Sequence, residues 1–197
     1  KWGPVSAINK VPSLLDDHGY FHEGCQSDIN IKEVEAELRA QIDRAYDMGI
    51  VPTHLDSHMG CLMQTQELIE VYLKMGKVYN LPVMVNREFP EELLKKYEVK
   101  VVLEEILTIM PEEYAEGTAA YYNKAIKNLK PGVSTFLIHT AYDNDELKGM
   151  TIDHPEWGNA WRQKDYDYFT SEACAQLLKE EQIRLITWRQ LKEAYYK

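Results

Sequence analysis

The chain has 197 residues, of which 45% are hydrophobic and 27% are charged, a composition typical of a globular protein with one sizeable core. Its 32 acidic and 22 basic residues give a net charge of −10, which argues against a nucleic-acid partner and against an anionic membrane surface. No apolar run approaches the ~20 residues that a membrane-spanning helix needs. We therefore predict a single domain over residues 1–197 that takes a neutral or cationic small molecule as its substrate.

The first thirty residues contain several glycines and prolines but no helical or strand pattern. We predict a long ordered loop over residues 1–30, and loops of this length are usually functional. Asn30 then has the properties of a helix N-cap, with Glu33 placed to close a capping box. Gly49 supplies the left-handed residue that ends this first helix.

From residue 50 onward, short apolar segments alternate with helical patterns. The predicted strands are 50–57, 81–85, 99–103, 134–139 and 184–187. Helices are predicted through 68–78, at 90–97, at 111–129, from about residue 171 and from residue 189, and a long polar segment follows the fourth strand. This alternation predicts a parallel α/β sheet or barrel. Five strands are too few to close an eight-stranded barrel, so we expect the first part of the fold to be missing from the chain.

Three polar side chains alternate at the end of the first predicted strand: His54, Asp56 and His58. Alternate residues of a strand share a face, and the carboxyl ends of strands are where active-site groups gather in β/α folds. Imidazole and carboxylate are common ligands of zinc and similar divalent ions. The segment therefore predicts a metal or catalytic site. The alternative is a pair of partly exposed loop histidines with an aspartate that caps a turn.

Two further candidates follow later strands. His139 ends strand 134–139, so on a parallel sheet it would face the same pocket as His58 and could donate a proton to a leaving group. A histidine that is simply hydrogen-bonded at a strand end is the alternative. Arg87 follows strand 81–85 and could orient a substrate oxygen, although a solvated arginine is equally consistent with its position.

Aromatic residues are dense between residues 142 and 169. Exposed aromatic faces are a common platform for sugar rings, which makes Tyr142 and Trp161 candidates for substrate binding. Packing of a helix against a sheet is the expected role for each ring taken singly.

The three cysteines, Cys25, Cys61 and Cys174, are widely spaced and odd in number. They form neither a disulfide framework nor a Cys-x-x-Cys metal motif. We predict structural thiols in a reducing compartment, and therefore a cytoplasmic protein. The chain shows no signal-peptide pattern, but it also lacks an initiator methionine. We therefore expect the true N-terminus to be absent, which leaves secretion open.

The run Pro-Thr-His-Leu-Asp-Ser-His at residues 52–58 resembles the most specific internal signature of the YdjC-like carbohydrate deacetylases, the ChbG/HpnK group. The likeness also covers Trp2-Gly3-Pro4, Val11-Pro12-Ser13-Leu14, Gly19-Tyr20-Phe21, Leu137-Ile138-His139, Ala141-Tyr142-Asp143 and Ile186-Thr187-Trp188-Arg189. It implies an α/β fold of parallel strands in a distorted or incomplete (β/α) barrel, similar to a TIM barrel. The implied activity is the removal of an acetyl group from an N-acetylated sugar or chitooligosaccharide, with a divalent metal ion, Mg or Zn, as cofactor.

The resemblance also implies roles for single residues. His58 would be a metal ligand, and Asp56 and His54 would support it, with Asp56 also a catalytic candidate. His139 would be the general acid, although the family's His-Pro-Gly-like run is His139-Thr140-Ala141 here. The family has an arginine near Met84, and Arg87 is the nearest match.

Two further parts of the family's site, a pair of aspartates and a second metal-binding histidine, would precede residue 1. We therefore expect this chain to be the C-terminal majority of a barrel, inactive by itself and active in the full-length form. Two other functions are left open, a non-catalytic carbohydrate-binding protein and a metal-dependent amidase on a non-sugar substrate. A homodimer is also left open.

Overall fold

The computed structural model of the protein describes residues 1–152, 154 and 156–197. These residues pack as two compact units. The first unit comprises residues 1–102 and 186–197, and the second comprises residues 103–185. The prediction of one domain over the whole chain stays a prediction.

The described residues contain two short parallel strands and several helices, joined by loops and turns. The helices, in chain order, are α1 (Ile31–Asp47), α2 (Gln66–Tyr79), α3 (Glu91–Lys96), α4 (Pro111–Glu116), α5 (Thr118–Lys127), α6 (Asp145–Met150), α7 (Asn159–Phe169), α8 (Glu172–Glu180) and α9 (Trp188–Tyr195). The strands are β1 (Ile106–Leu107) and β2 (Thr135–Phe136).

The N-terminal loop of the first unit is ordered by α1. It contains 3-10 turns at Ile8–Lys10 and Pro12–Leu14, as expected for a loop without longer elements. The carboxylate of Glu37, 3% exposed, accepts hydrogen bonds from the backbone N–H groups of Val5 and Ser6, both at 2.9 Å. These bonds replace the hydrogen bonds that the two backbone N–H groups would otherwise make to water.

The start of α1 differs from the prediction in one detail. Asn30 is the N-cap, and its side chain accepts from the backbone N–H of Lys32, as the sequence predicts. Glu33 does not close a capping box, because its Oε2 accepts from the backbone N–H of Ser13 at 2.7 Å instead. The predicted box is therefore wrong. A contact across 20 residues of sequence displaces the local one.

The core of the first unit forms between the loop, α1 and α2. Its buried members are Val11, Leu14, Leu15, Val34, Leu68 and Val71. Beside them, α2 packs closely on the extended segment at 81–85, since a Cβ added to Gly76 would clash with Val83 Cγ1. Glycine at this position lets α2 and the 81–85 segment approach each other.

The first two predicted strands lie side by side and parallel, but they are short. Leu55 and Val83 form an isolated parallel bridge, in which Leu55 N donates to Pro82 O at 2.8 Å and Met84 N donates to Leu55 O at 3.1 Å. Full strands at 50–57 and 81–85 are not formed. Pro52 and Pro82 lack the N–H groups that a longer ladder would need.

In the second unit, β1 and β2 pair in parallel, with Ile106 opposite Thr135 and Leu107 opposite Phe136. Helices α5, α7 and α8 supply most of the core. Its buried members are Ile109, Tyr122, Ile126, Trp161, Tyr168, Cys174 and Leu177.

Five predicted elements of residues 99–187 need correction. The fourth strand is formed only at Thr135–Phe136 rather than over 134–139. The third strand lies at Ile106–Leu107 rather than at 99–103, and no strand is assigned at 184–187 among the described residues. The helix predicted at 111–129 is interrupted at Gly117, whose φ of 125° is not helical, so that α4 and α5 are separate. The segment predicted as a polar loop contains α6 and α7.

The fold class is α/β with parallel pairing, as predicted. The strand pairs of the described residues form a two-stranded sheet and isolated bridges, so the distorted or incomplete barrel that the resemblance implies is not seen among them. Among the described residues, none of the helices combines the length and the apolar character needed to span a bilayer.

Candidate active site

The signature segment His54–His58 alternates between the core and the surface. Leu55 packs against the core cluster of α2 and the 81–85 segment, while Asp56 and His58 are exposed and His54 is half-buried. The alternation agrees with the predicted strand pattern. The polar side chains are thus available at the surface of the first unit.

A buried tyrosine fixes the backbone at Leu55. Tyr72, 2% exposed, donates its hydroxyl hydrogen to Leu55 O at 2.6 Å and accepts from Met84 N at 2.8 Å. Burial raises the pKa of Tyr72, so the hydroxyl stays protonated and keeps donating. The parallel bridge next to Asp56 is therefore held by a side chain as well as by the backbone.

The ring of His54 is held on two sides. It stacks on the indole of Trp188, with ring centroids 4.4 Å apart and an interplanar angle of 6°. Its Nδ1 lies 3.0 Å from Thr53 Oγ1. Burial lowers the pKa of His54, and the negative charge of Asp56 opposes this only in part. The ring is therefore neutral at neutral pH.

The chain turns directly after the signature. His58 begins a 3-10 segment, His58–Met63, in which Met59 and Gly60 have φ values of 54° and 67°. Ser57 closes the turn twice: its carbonyl oxygen accepts from Gly60 N at 2.8 Å, and its Oγ accepts from Leu62 N at 2.9 Å. His58 is therefore presented, exposed, at the edge of a tight turn.

A disulfide joins this turn to the N-terminal loop. Cys25 and Cys61 are bonded across 36 residues of sequence, and Cys174 is free and buried. The prediction of free thiols is wrong for the bonded pair. Sequence spacing could not show that the fold brings their Cα atoms to 4.8 Å, within disulfide range. The prediction of a reducing compartment was based on free thiols, and the disulfide removes that basis.

In the second unit, His139 is exposed and follows β2. Its backbone N–H donates to Oδ2 of Asp165 at 3.0 Å, and Oδ1 of the same carboxylate accepts from the hydroxyl of Tyr122 at 2.8 Å. Asp165 is 0% exposed. Burial, and then the hydrogen bond to Asp165, raise the pKa of Tyr122. A buried network therefore fixes the backbone that carries His139.

The two aromatic candidates have different surroundings. Trp161 is 2% exposed and stacks on Tyr114 with centroids 3.9 Å apart, so the structure places it in the core of the second unit. Tyr142 is 60% exposed, and its hydroxyl donates to the hydroxyl of Tyr166 at 3.0 Å. Tyr142 alone of this pair presents a ring to a ligand.

Tyr142 borders an open groove of about 420 Å³ in the second unit. Its lining residues are Thr140, Ala141, Tyr142, Asn144, Glu146, Leu147, Met150 and Tyr166. The loop is fixed to α7, because Ala141 N donates to Arg162 O and Asp143 N donates to Gln163 Oε1 at 2.8 Å. Arg87, in the first unit, is exposed in the turn after Val85.

Sequence reasoning missed two residues that hold the candidates, Asp165 and Trp188. A signal for Asp165 exists, since Trp161, Asp165 and Tyr168 are the buried residues of α7 and have helical spacing. The polar composition of the segment concealed it. Trp188 has no comparable signal, because its partner His54 lies 134 positions earlier in the chain.

The described residues do not complete a metal site. Among residues 1–152, 154 and 156–197, no group of three histidine, cysteine or acidic side chains is placed to hold an ion. Catalytic metal sites usually have about three protein ligands. His58 alone does not fit that requirement.

Comparison with known proteins gives the family. Residues 1–180 match the family model described as YdjC-like protein. The chain belongs to the YdjC-like family. The resemblance carried by the signature is thereby confirmed.

Several YdjC-like relatives align over nearly the whole chain. A carbohydrate deacetylase of Thermoanaerobacter pseudethanolicus is 28% identical over 193 residues, which is 96% of this chain and 73% of the relative. One of Thermus thermophilus is 27% identical over 200 residues, with coverages of 96% and 72%. The crystal structure of a candidate cellobiose-phosphate cleavage protein of Enterococcus faecalis V583 is 23% identical, with a TM-score of 0.77 over 96% of this chain and 72% of that one. The structural likeness shows a shared fold.

Proposed function

We propose that the full-length form of this YdjC-like protein is a carbohydrate deacetylase, which hydrolyses the acetamide of an N-acetylated sugar or chitooligosaccharide to acetate and a free amine. The observation that carries the proposal is the alignment of 96% of the chain with relatives named carbohydrate deacetylase. The exposed polar side chains of the signature segment are consistent with it.

The reaction needs three things from the protein. Water must add to the acetamide carbonyl carbon, the resulting oxyanion must be stabilised, and the nitrogen must receive a proton as the C–N bond breaks. In our proposal His139 gives that proton, since its backbone is anchored on a buried carboxylate while its side chain is exposed. Asp56 and neutral His54 orient the groups beside His58.

Dependence on a divalent ion, Mg or Zn, is a separate part of the proposal, with His58 as one ligand. Such an ion would polarise the carbonyl and lower the pKa of bound water. The described residues do not supply the other ligands. Metal dependence therefore needs its own test, in which activity is measured after chelation and after adding back each ion.

The activity is tested with the full-length protein, by measuring acetate and primary amine released from N-acetylglucosamine, from its β-1,4-linked oligomers and from a simple acetamide. We expect equal amounts of both products from a sugar and little from the acetamide. His58→Ala should lower turnover by at least tenfold, whereas the matched control His18→Ala, also an exposed loop histidine, should not.

Three results would contradict the proposal. Binding of the sugars without any acetate would indicate a carbohydrate-binding protein. Equal cleavage of the simple acetamide would indicate a general amidase. Unchanged turnover in His58→Ala would remove that residue from the site.

A further inference from the structure

Helix α9 contacts the signature run, residues 52–58, at two points of one helix face. Trp188, at the first position of α9, stacks on the ring of His54 at 4.4 Å. One turn later Lys192 donates from Nζ to Pro52 O at 2.9 Å. Residues four apart lie on the same side of a helix, so both contacts are made by one face of α9.

The end of α9 that carries Trp188 is itself well defined. Thr187 is its N-cap, and Thr187 Oγ1 accepts from Gln190 N at 3.2 Å while Gln190 Oε1 accepts from Thr187 N at 2.8 Å. This reciprocal capping box satisfies two backbone donors that would otherwise lack partners. Leu191, 8% exposed, anchors the helix in the first unit. Trp188 is thus presented by a fixed helix start.

The two contacts of the His54 ring restrict different motions. Parallel stacking at an angle of 6° fixes the plane of the imidazole. The contact between Nδ1 and Thr53 Oγ1 at 3.0 Å fixes the rotation of the ring within that plane. Together they determine the direction of the second ring nitrogen, Nε2.

We infer that Trp188 is a positioning residue of the candidate active site, which holds the His54 imidazole in one plane so that Nε2 keeps one direction beside Asp56 and His58. The stacking part of this inference is independent of the chemistry. Its effect on turnover rests on the proposed deacetylase function.

Tryptophan fluorescence tests the stack directly, because a protonated imidazole in contact with an indole quenches its emission. The charged groups near the pair are the carboxylate of Asp56 and, through its bond to Pro52 O, the ammonium of Lys192. We expect the emission of the native protein to fall in one step as pH is lowered and His54 gains a proton.

Three variants assign that step. It should disappear in both His54→Gln and Trp188→Phe, and it should persist in the matched control Trp2→Phe, since Trp2 is 84% exposed. A step that survives unchanged in either of the first two variants would overturn the stack, whatever the activity of the protein.

Steady-state kinetics of the full-length protein on an N-acetylated oligosaccharide tests the positioning role. Trp188→Leu should lower kcat by up to about tenfold with KM little changed, and Trp188→Phe, which retains a ring, should recover most of that loss. Equal melting temperatures for the two variants would separate positioning from folding. A native kcat in Trp188→Leu would contradict the role, and absence of acetate from the native protein would instead reject the proposed function.

Discussion

The backbone N–H of His139 donates a hydrogen bond to the buried carboxylate of Asp165 over 3.0 Å. Asp165 belongs to α7, and its second oxygen accepts from Tyr122 of α5. A buried charge is tolerated only when hydrogen bonds compensate its lost hydration. The position of His139 therefore depends on a residue 26 positions later in the chain.

Replacing that carboxylate should destabilise the protein. Asp165→Ala leaves the hydroxyl of Tyr122 and the N–H of His139 without this acceptor, and each buried unsatisfied donor costs about 1–3 kcal/mol. We expect the free energy of unfolding, measured with urea, to fall by about 2–4 kcal/mol. Asp167→Ala, which removes an exposed carboxylate of the same helix, should change it by less than about 0.5 kcal/mol. Equal effects of the two variants would contradict the buried network.

The disulfide determines how many reactive thiols the protein should show before and after reduction. The unfolded, unreduced protein should show one reactive thiol, that of Cys174, and three after reduction. Three thiols before reduction would show that Cys25 and Cys61 are not bonded.

Breaking the same bond should lower stability through the entropy of the unfolded chain. For a loop closed across 36 residues the chain-entropy model gives about 3–4 kcal/mol. Unfolding by urea with and without reductant measures this directly. Identical unfolding curves would show that the bond has no such role.

His54 should make stability depend on pH. Its pKa is lowered by burial in the folded protein, so below its unfolded value of about 6.5 the unfolded chain binds more protons than the folded one. The free energy of unfolding should therefore decrease as pH falls through this range, and His54→Gln should show a smaller decrease. A steeper dependence in the variant would give the opposite sign and contradict the burial of the ring.

The exposed ring of Tyr142 should contribute to substrate binding. Tyr142→Ala removes a stacking face at the groove, and we expect KM for an N-acetylated oligosaccharide to rise by about threefold to tenfold with kcat less affected. Tyr195→Ala, which removes another exposed ring, 54% exposed, is the matched control. The same change in both variants would show that the groove is not used.

Local patterns predicted much of this molecule. The bounds of α1 and α3 and the starts of α8 and α9 follow from caps, glycine and apolar spacing, and the exposure of Asp56 and His58 follows from strand alternation. These features depend on neighbouring residues only.

Contacts between residues that are distant in the chain leave no local pattern in the sequence. The stack of Trp188 on His54, the bond between Cys25 and Cys61 and the contact of Glu33 with Ser13 are decided by tertiary packing. Helix α7 was missed because an aspartate occupies the middle of its buried face. From the sequence alone, an aspartate such as Asp165 is taken for a surface residue.

The central claim is that this YdjC-like protein removes acetyl groups from sugars. The decisive measurement is mass spectrometry of an N-acetylated chitooligosaccharide after incubation with the full-length protein and a divalent ion. We expect the loss of one acetyl group, matched by equal acetate and free amine, and a loss of the reaction in His58→Ala. An unchanged sugar under these conditions, with the protein folded and the ion present, would contradict it.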